Sequence, residues 1–150
     1  GQTVEAQAAG GIEAAAAGDT QQLGVFGGVQ YTDPTSGKPT FKPFYAASTN
    51  AADLEAIVYD DPQLIFEVQH DGTGTAAMNF SAFDFTGVAG STISGQSTQE
   101  LDTSTSGTGG GFKQLSIVTD PSNDDTSSAN ANAFVAFNTG EHVFKLTTAI

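Results

Sequence analysis

The sequence predicts an all-β single domain: a β-sandwich or barrel of about seven to eight short antiparallel strands, with long polar loops and an extended N-terminal arm. Three observations predict it. Leu64, Phe66 and Val68 alternate with Ile65, Glu67 and Gln69, the period of two that belongs to a half-buried strand. Turn residues recur between apolar stretches: Asp33-Pro34-Thr35-Ser36-Gly37, Asp60-Asp61-Pro62, Asp71-Gly72 and Asn138-Thr139-Gly140-Glu141. No stretch carries a convincing amphipathic helical pattern, and there is no internal repeat.

Residues 1–22 hold seven Ala and four Gly, with Val4 and Ile12 as the large apolar side chains, so the segment reads as an arm outside a β-domain of residues 23–150. In 23–31, Gly24, Gly27 and Gly28 predict a bulged or kinked strand rather than a flat one, which the 33–37 turn folds into a hairpin. Pro39 and Pro43 confine 39–46 to an edge strand or extended loop. Phe41, Phe44 and Tyr45 are then anchors, directed either inward or toward a partner. Residues 48–54 could begin a helical turn capped by Ser48 or Thr49. Strands follow at 55–59 and 63–70. Residues 78–85 alternate again, with Met78, Phe80, Phe83 and Phe85 changing face across a bulge at Ala82. The stretch 86–111 contains seven Gly among Ser and Thr and predicts a long surface loop or ribbon. Strands return at 112–119, at 133–138 and in a final HVFKLTT segment from His142.

Charge excludes some functions. Four Lys, no Arg and 17 acidic residues give a net charge of −13, against which a nucleic-acid backbone or an anionic membrane leaflet would be repelled. No cysteine is present, which removes disulfides, thiolate metal sites and a cysteine nucleophile. No window approaches the roughly 20 apolar residues of a membrane span. The start GQTVEA has Ala6 where a myristoylation signal usually carries Ser or Thr, so the chain reads as soluble and unanchored.

The constellations that could carry chemistry are weak. Asp120, Ser122, Asp124 and Asp125 resemble the start of a calcium loop, but neither the loop glycine nor its closing acid is present, so a solvated loop is the expectation. His70 and His142 could meet at strand ends, but no HxH or HxxxH spacing supports a metal. The strained GxSxG turn of a serine hydrolase is absent, and GTGGG at 107–111 lacks the lysine of a phosphate loop. No catalytic residue, metal or cofactor is expected, and the chain reads as a non-enzyme.

The order of several segments points further. Tyr59-Asp60-Asp61-Pro62, Phe66-Glu67-Val68-Gln69 and Asp71-Gly72 are followed by Gly90-Ser91-Thr92, Ser94-Gly95-Gln96-Ser97 and Glu100-Leu101-Asp102. The set closes with Asn132-Ala133, Val135 and Glu141-His142. Over roughly residues 23–145 this order resembles the small virion structural proteins of tailed phages, which accompany the major capsid protein as decoration or cement subunits. The family usually carries more basic residues near the final strands, where this chain has Lys145.

The resemblance implies a subunit on the outer capsid surface that binds the major capsid protein, bridges neighbouring capsomers and forms a homo-oligomer, expected to be a trimer. In that role Phe41, Phe44 and Tyr45 supply apolar anchors and Val4 and Ile12 fasten the arm. Lys38 and Lys42 flank the anchor strand, where they could pair with acids on the capsid. The alternative is a virion appendage or tail-associated module that recognises a receptor or glycan through the 86–111 loop.

Overall fold

The computed structural model describes residues 1–150 apart from 20, 47–48, 87–89, 92, 108, 124–128 and 146–150 and the side chain of Lys145. Among the described residues it is all-β, with eleven strands, short 3-10 turns and no α-helix. The strands are β1 (Thr3–Ala6), β2 (Ile12–Ala14), β3 (Gln22–Thr32), β4 (Pro39–Lys42), β5 (Glu55–Tyr59) and β6 (Phe66–Gln69). They continue with β7 (Ala82–Phe83), β8 (Phe85–Thr86), β9 (Glu100–Leu101), β10 (Phe112–Ile117) and β11 (Asn132–Phe137). All strand pairings are antiparallel, in a five-stranded sheet, a four-stranded sheet ordered β6-β11-β10-β7, and the pair β8-β9. The sheets do not close on one another, so of the two expected architectures the sandwich-like one forms and the barrel does not.

The eleven-residue β3 organises the five-stranded sheet. Val25 faces Thr3 of β1 on one side and Tyr59 of β5 on the other, while Val29 lies between Lys42 of β4 and Ala56 of β5. Strands β1 and β4 therefore follow each other along one edge of β3, and β5 runs along the opposite edge. The register shifts between Phe26 and Gly28, where the expected bulge forms. Gly28 has φ of +145°, a backbone that side chains rarely adopt, which explains why glycine stands at the bend.

The core lies where β8, β9, β10, β11 and β7 pack together. Phe83, Phe85, Leu101, Phe112, Ile117, Ala133, Val135 and Phe137 are buried there with Ala15, and Val25, Phe66, Val68 and Met78 pack against them. The Phe112 and Phe137 rings stack at 5.0 Å between centroids, Phe66 meets Phe137 edge-on at 5.6 Å, and Phe85 meets Phe112 at 6.3 Å. Each buried ring contributes about 1.5–3 kcal/mol by removing apolar surface from water. Of the eleven Phe, four are buried in this core and Phe66 packs against it, whereas Phe41, Phe80, Phe134 and Phe144 are exposed.

Five expectations are corrected. Residues 3–6 and 12–14, read from sequence as an arm, are strands of the five-stranded sheet. Thr3 accepts Gln99 Nε2 at 2.8 Å and donates its N–H to Gln99 Oε1 at 2.7 Å, and Ala15 is buried in the core, so small side chains here permit close packing. Phe80 does not point inward with Met78: it has φ of +68°, is largely exposed, and lies beneath Lys113 Nζ at 5.7 Å. Residues 143–145 form a 3-10 turn rather than a strand, and 146–148 of the expected HVFKLTT strand lie outside the described residues. The 86–111 stretch contributes β9, whose Leu101 is wholly buried opposite Phe85. At 48–54 no helix forms among the described residues, and the Ser48 cap lies outside them.

Candidate interaction face

The outward face of β5 and its neighbours carries the strongest concentration of exposed apolar side chains. Glu55, Ile57 and Tyr59 alternate along β5 and so share one face. Gln30 pairs with both Glu55 and Phe41, which places Phe41 on that face from the other side of β3. Phe41 is 58% exposed, Tyr59 55% and Ile57 39%. Two glycines make room for the rings. A methyl group at Gly27 would lie 2.8 Å from Tyr59 Cε2, and one at Gly28 would lie 2.6 Å from Phe41 Cε2. Gly28 also sits in register with Ile57. The three apolar side chains thus border a backbone strip without side chains of its own.

Beside the strip is an open groove of about 460 Å³, lined by Gln30, Thr32, Pro39, Phe41, Asp53 and Glu55 among others. Gln30 Nε2 donates to Glu55 Oε2 at 2.7 Å, and the Thr32 N–H donates to both Asp53 carboxylate oxygens at 3.1 Å. Hydrogen bonds from Thr32 hold the Asp53 carboxyl below the usual carboxylate range, so it stays ionised. Asp60 and Asp61 continue from the far end of β5 and are exposed. The face is therefore apolar at its centre and acidic at both ends of β5.

The residues expected to bind a partner divide. Phe41 and Tyr45 are exposed, and Lys38 is exposed in the turn, where its carbonyl accepts the Asp33 N–H at 2.9 Å. Lys42 alternates to the other face of β4, its Nζ 5.9 Å above the Tyr31 ring. Phe44 packs inward on Gly95 and is half-buried. Val4 is buried in β1, and Ile12 is half-buried in β2 opposite Ala6. Sequence reasoning missed Ile57 and Tyr59. The signal for them was EAIVY, a strand lacking the polar alternation that a half-buried position would show.

Elsewhere the polar groups look structural. A cleft of about 80 Å³ between the sheets, lined by Val25, Phe66 and Phe85 among others, falls below the roughly 300 Å³ of ordinary ligand pockets. His70 is wholly buried, its Nε2 3.0 Å from Gln114 Oε1 and its ring edge-on to Phe83 at 5.4 Å. Gln114 Nε2 in turn donates to Asn79 Oδ1 at 2.8 Å and to the Thr75 carbonyl at 3.1 Å. This network pins the 70–80 segment to β10. His142 lies in different surroundings, against Phe137 at 4.6 Å and Phe144 at 5.6 Å. Asp120 accepts the Ser122 N–H and hydroxyl, and Asp124 and Asp125 of the suggested calcium loop lie outside the described residues. Among the described residues no helix is long and apolar enough to cross a membrane. No family model, curated protein or solved structure matches the chain.

Proposed function

We propose that this chain is a non-enzymatic cement or decoration subunit of a tailed phage. It binds the major capsid protein on the outer surface of the icosahedral shell and stabilises contacts between capsomers. The observation that carries the proposal is the exposed strip of Phe41, Ile57 and Tyr59 on a β-domain whose net charge is −13. Apolar groups drive docking, while dispersed acid keeps the subunit away from packaged nucleic acid. Assembly as a homotrimer multiplies contacts that are individually weak. In this mechanism Phe41 and Tyr45 keep the anchor role that their sequence suggested, and Ile57 and Tyr59 join them.

The test is decoration of emptied, undecorated capsids by the wild type and by a Phe41→Ser/Tyr59→Ser variant. Occupancy is read by particle imaging, and shell stability by the temperature of capsid rupture. The expected result is hundreds of wild-type copies over the shell and a loss of binding of about tenfold or more in the variant. Equal occupancy by the variant would refute the role of the face. Finding the wild type in a handful of copies at the tail would support the alternative, a tail-associated module for a receptor or glycan. The observation favouring that alternative is Ile93, 97% exposed in a turn where Ser91 Oγ accepts the Ser94 N–H at 3.1 Å.

A further inference from the structure

Strand β5 is an edge left open. It pairs with β3 on one side, and among the described residues no backbone hydrogen bond reaches its other side. All five residues, Glu55 to Tyr59, are exposed or half-exposed. Natural edge strands are blunted by Pro, Lys, inward charges or bulges, because a row of unpaired N–H and C=O groups templates another strand. Inside β5 none of these devices occurs: Ala56, Ile57, Val58 and Tyr59 are all strand-compatible and uncharged. Acid stands at its two ends instead, Asp53 and Glu55 at one and Asp60 and Asp61 at the other.

We infer that β5 accepts an extended segment of a partner protein as an added strand, of about five to nine residues by ordinary strand lengths. Its side chains facing Ile57 and Tyr59 are apolar, and Lys or Arg residues lie near both of its ends. Charge selects this occupant over a second copy of the chain. If two β5 strands paired antiparallel about Ile57, Asp53 of each would face Asp61 of the other, and Glu55 would face Tyr59. In-register parallel pairing would set every acid beside its own equivalent. Like charges directly opposite destabilise a strand pair, and each chain brings a net charge of −13. A strand with basic ends removes both penalties and gains apolar contact with Ile57 and Tyr59. Pro62 marks where the ladder must stop, because it has no N–H to donate.

The inference rests on the face proposed above as the partner-facing one, and the two can fail separately. The probe is a labelled nine-residue peptide alternating Thr and Val with Lys at both ends, compared with the same peptide ended by Glu. Binding is read by fluorescence anisotropy and by amide hydrogen exchange. The expected result is saturable binding of the Lys-ended peptide, with exchange at 55–59 slowed about tenfold and affinity falling as salt rises. Ile57→Lys should abolish binding, and Asp60→Lys/Asp61→Lys should shift preference toward the Glu-ended peptide. Circular dichroism confirms that each variant is folded, which the exposure of these positions favours.

Equal binding of both peptides, unchanged exchange at 55–59, or dimers that disappear in Ile57→Lys would each overturn the inference. Capsid decoration without peptide binding would remove strand addition and leave the shell role standing. Peptide binding without decoration would do the reverse.

Discussion

Gly74→Ala should destabilise this protein far more than a glycine-to-alanine change ordinarily does. A methyl group at Gly74 would lie 2.7 Å from both Cγ and Nε2 of the His70 ring, well inside the roughly 3.5 Å of a relaxed contact. The ring cannot step aside cheaply. It is wholly buried, meets Phe83 edge-on at 5.4 Å, and has its Nε2 3.0 Å from Gln114 Oε1. Forcing a methyl into such a site costs about 1–3 kcal/mol, and displacing the ring adds about 1 kcal/mol or more for the lost hydrogen bond. A total near 3 kcal/mol is a large part of the 5–15 kcal/mol that holds a typical domain together. For a chain of this size it lowers Tm by about 6–12 °C.

The assay is thermal and urea unfolding of four proteins: wild type, Gly74→Ala, His70→Ala and the double variant. With the ring removed the methyl has room, so Gly74→Ala should cost less than about 1 kcal/mol in the His70→Ala background. Gly109→Ala is the control, because nothing lies within 4 Å of a methyl there and its φ is not left-handed. It should be neutral or stabilising by up to about 1 kcal/mol, through lower entropy of the unfolded chain. A Tm loss under about 2 °C for Gly74→Ala would refute the steric argument, as would an undiminished cost in the His70→Ala background.

Two further outcomes follow from the same structure. Burial pushes the His70 imidazole below its ordinary pKa, against smaller opposite effects of Gln114 and Asp71, so the folded protein takes up its proton less readily than the unfolded chain. The contribution to stability is then complete above about pH 6.5 and is lost as pH falls below it, by at most about 1.4 kcal/mol per pH unit. Urea midpoints at pH 7.5 and 5.5 should therefore separate, and His70→Gln should narrow that separation; an equal separation in the variant would count against His70. Phe80→Asn should leave stability unchanged or raise it by up to about 1 kcal/mol, since Asn tolerates the left-handed backbone and the ring is exposed. A fall of more than about 1 kcal/mol in urea unfolding would show that the Lys113 contact over the ring outweighs the strain.

Legibility varied along the chain for physical reasons. Strands β6 and β11 were readable because each puts apolar groups at alternate positions, and that alternation is a local property of the sequence. The bulge in β3 was readable too, since glycine is the residue that fits there. The N-terminal hairpin was not. Its strands carry mainly small side chains, and what orders them is distant: Gln99 bonding Thr3, and β3 pairing with β1. Phe80 and the 143–145 turn misled for the converse reason, because an apolar pattern persists where the backbone has already left the sheet. At the candidate face, Phe41 and Tyr45 were found as aromatic residues in a proline-interrupted edge segment. Ile57 and Tyr59 were passed over because an uninterrupted apolar run looks the same whether both of its faces are covered or open.

By itself, then, the sequence determined that the chain is all-β, that its surface is acidic and poor in charge, and that its turns fall at Asp, Gly and Pro. These properties depend on side-chain alternation, composition and backbone preference, which are local or additive. The tertiary structure decided which edges are paired and which are open. It drew residues 3–14 into the sheet, buried Leu101 out of a polar loop, and brought Phe41 beside Ile57 and Tyr59 across Gly27 and Gly28. Strand pairing joins residues far apart in the chain through backbone groups that every residue type shares. The identity of an open edge is therefore settled only when all the strands have found their neighbours.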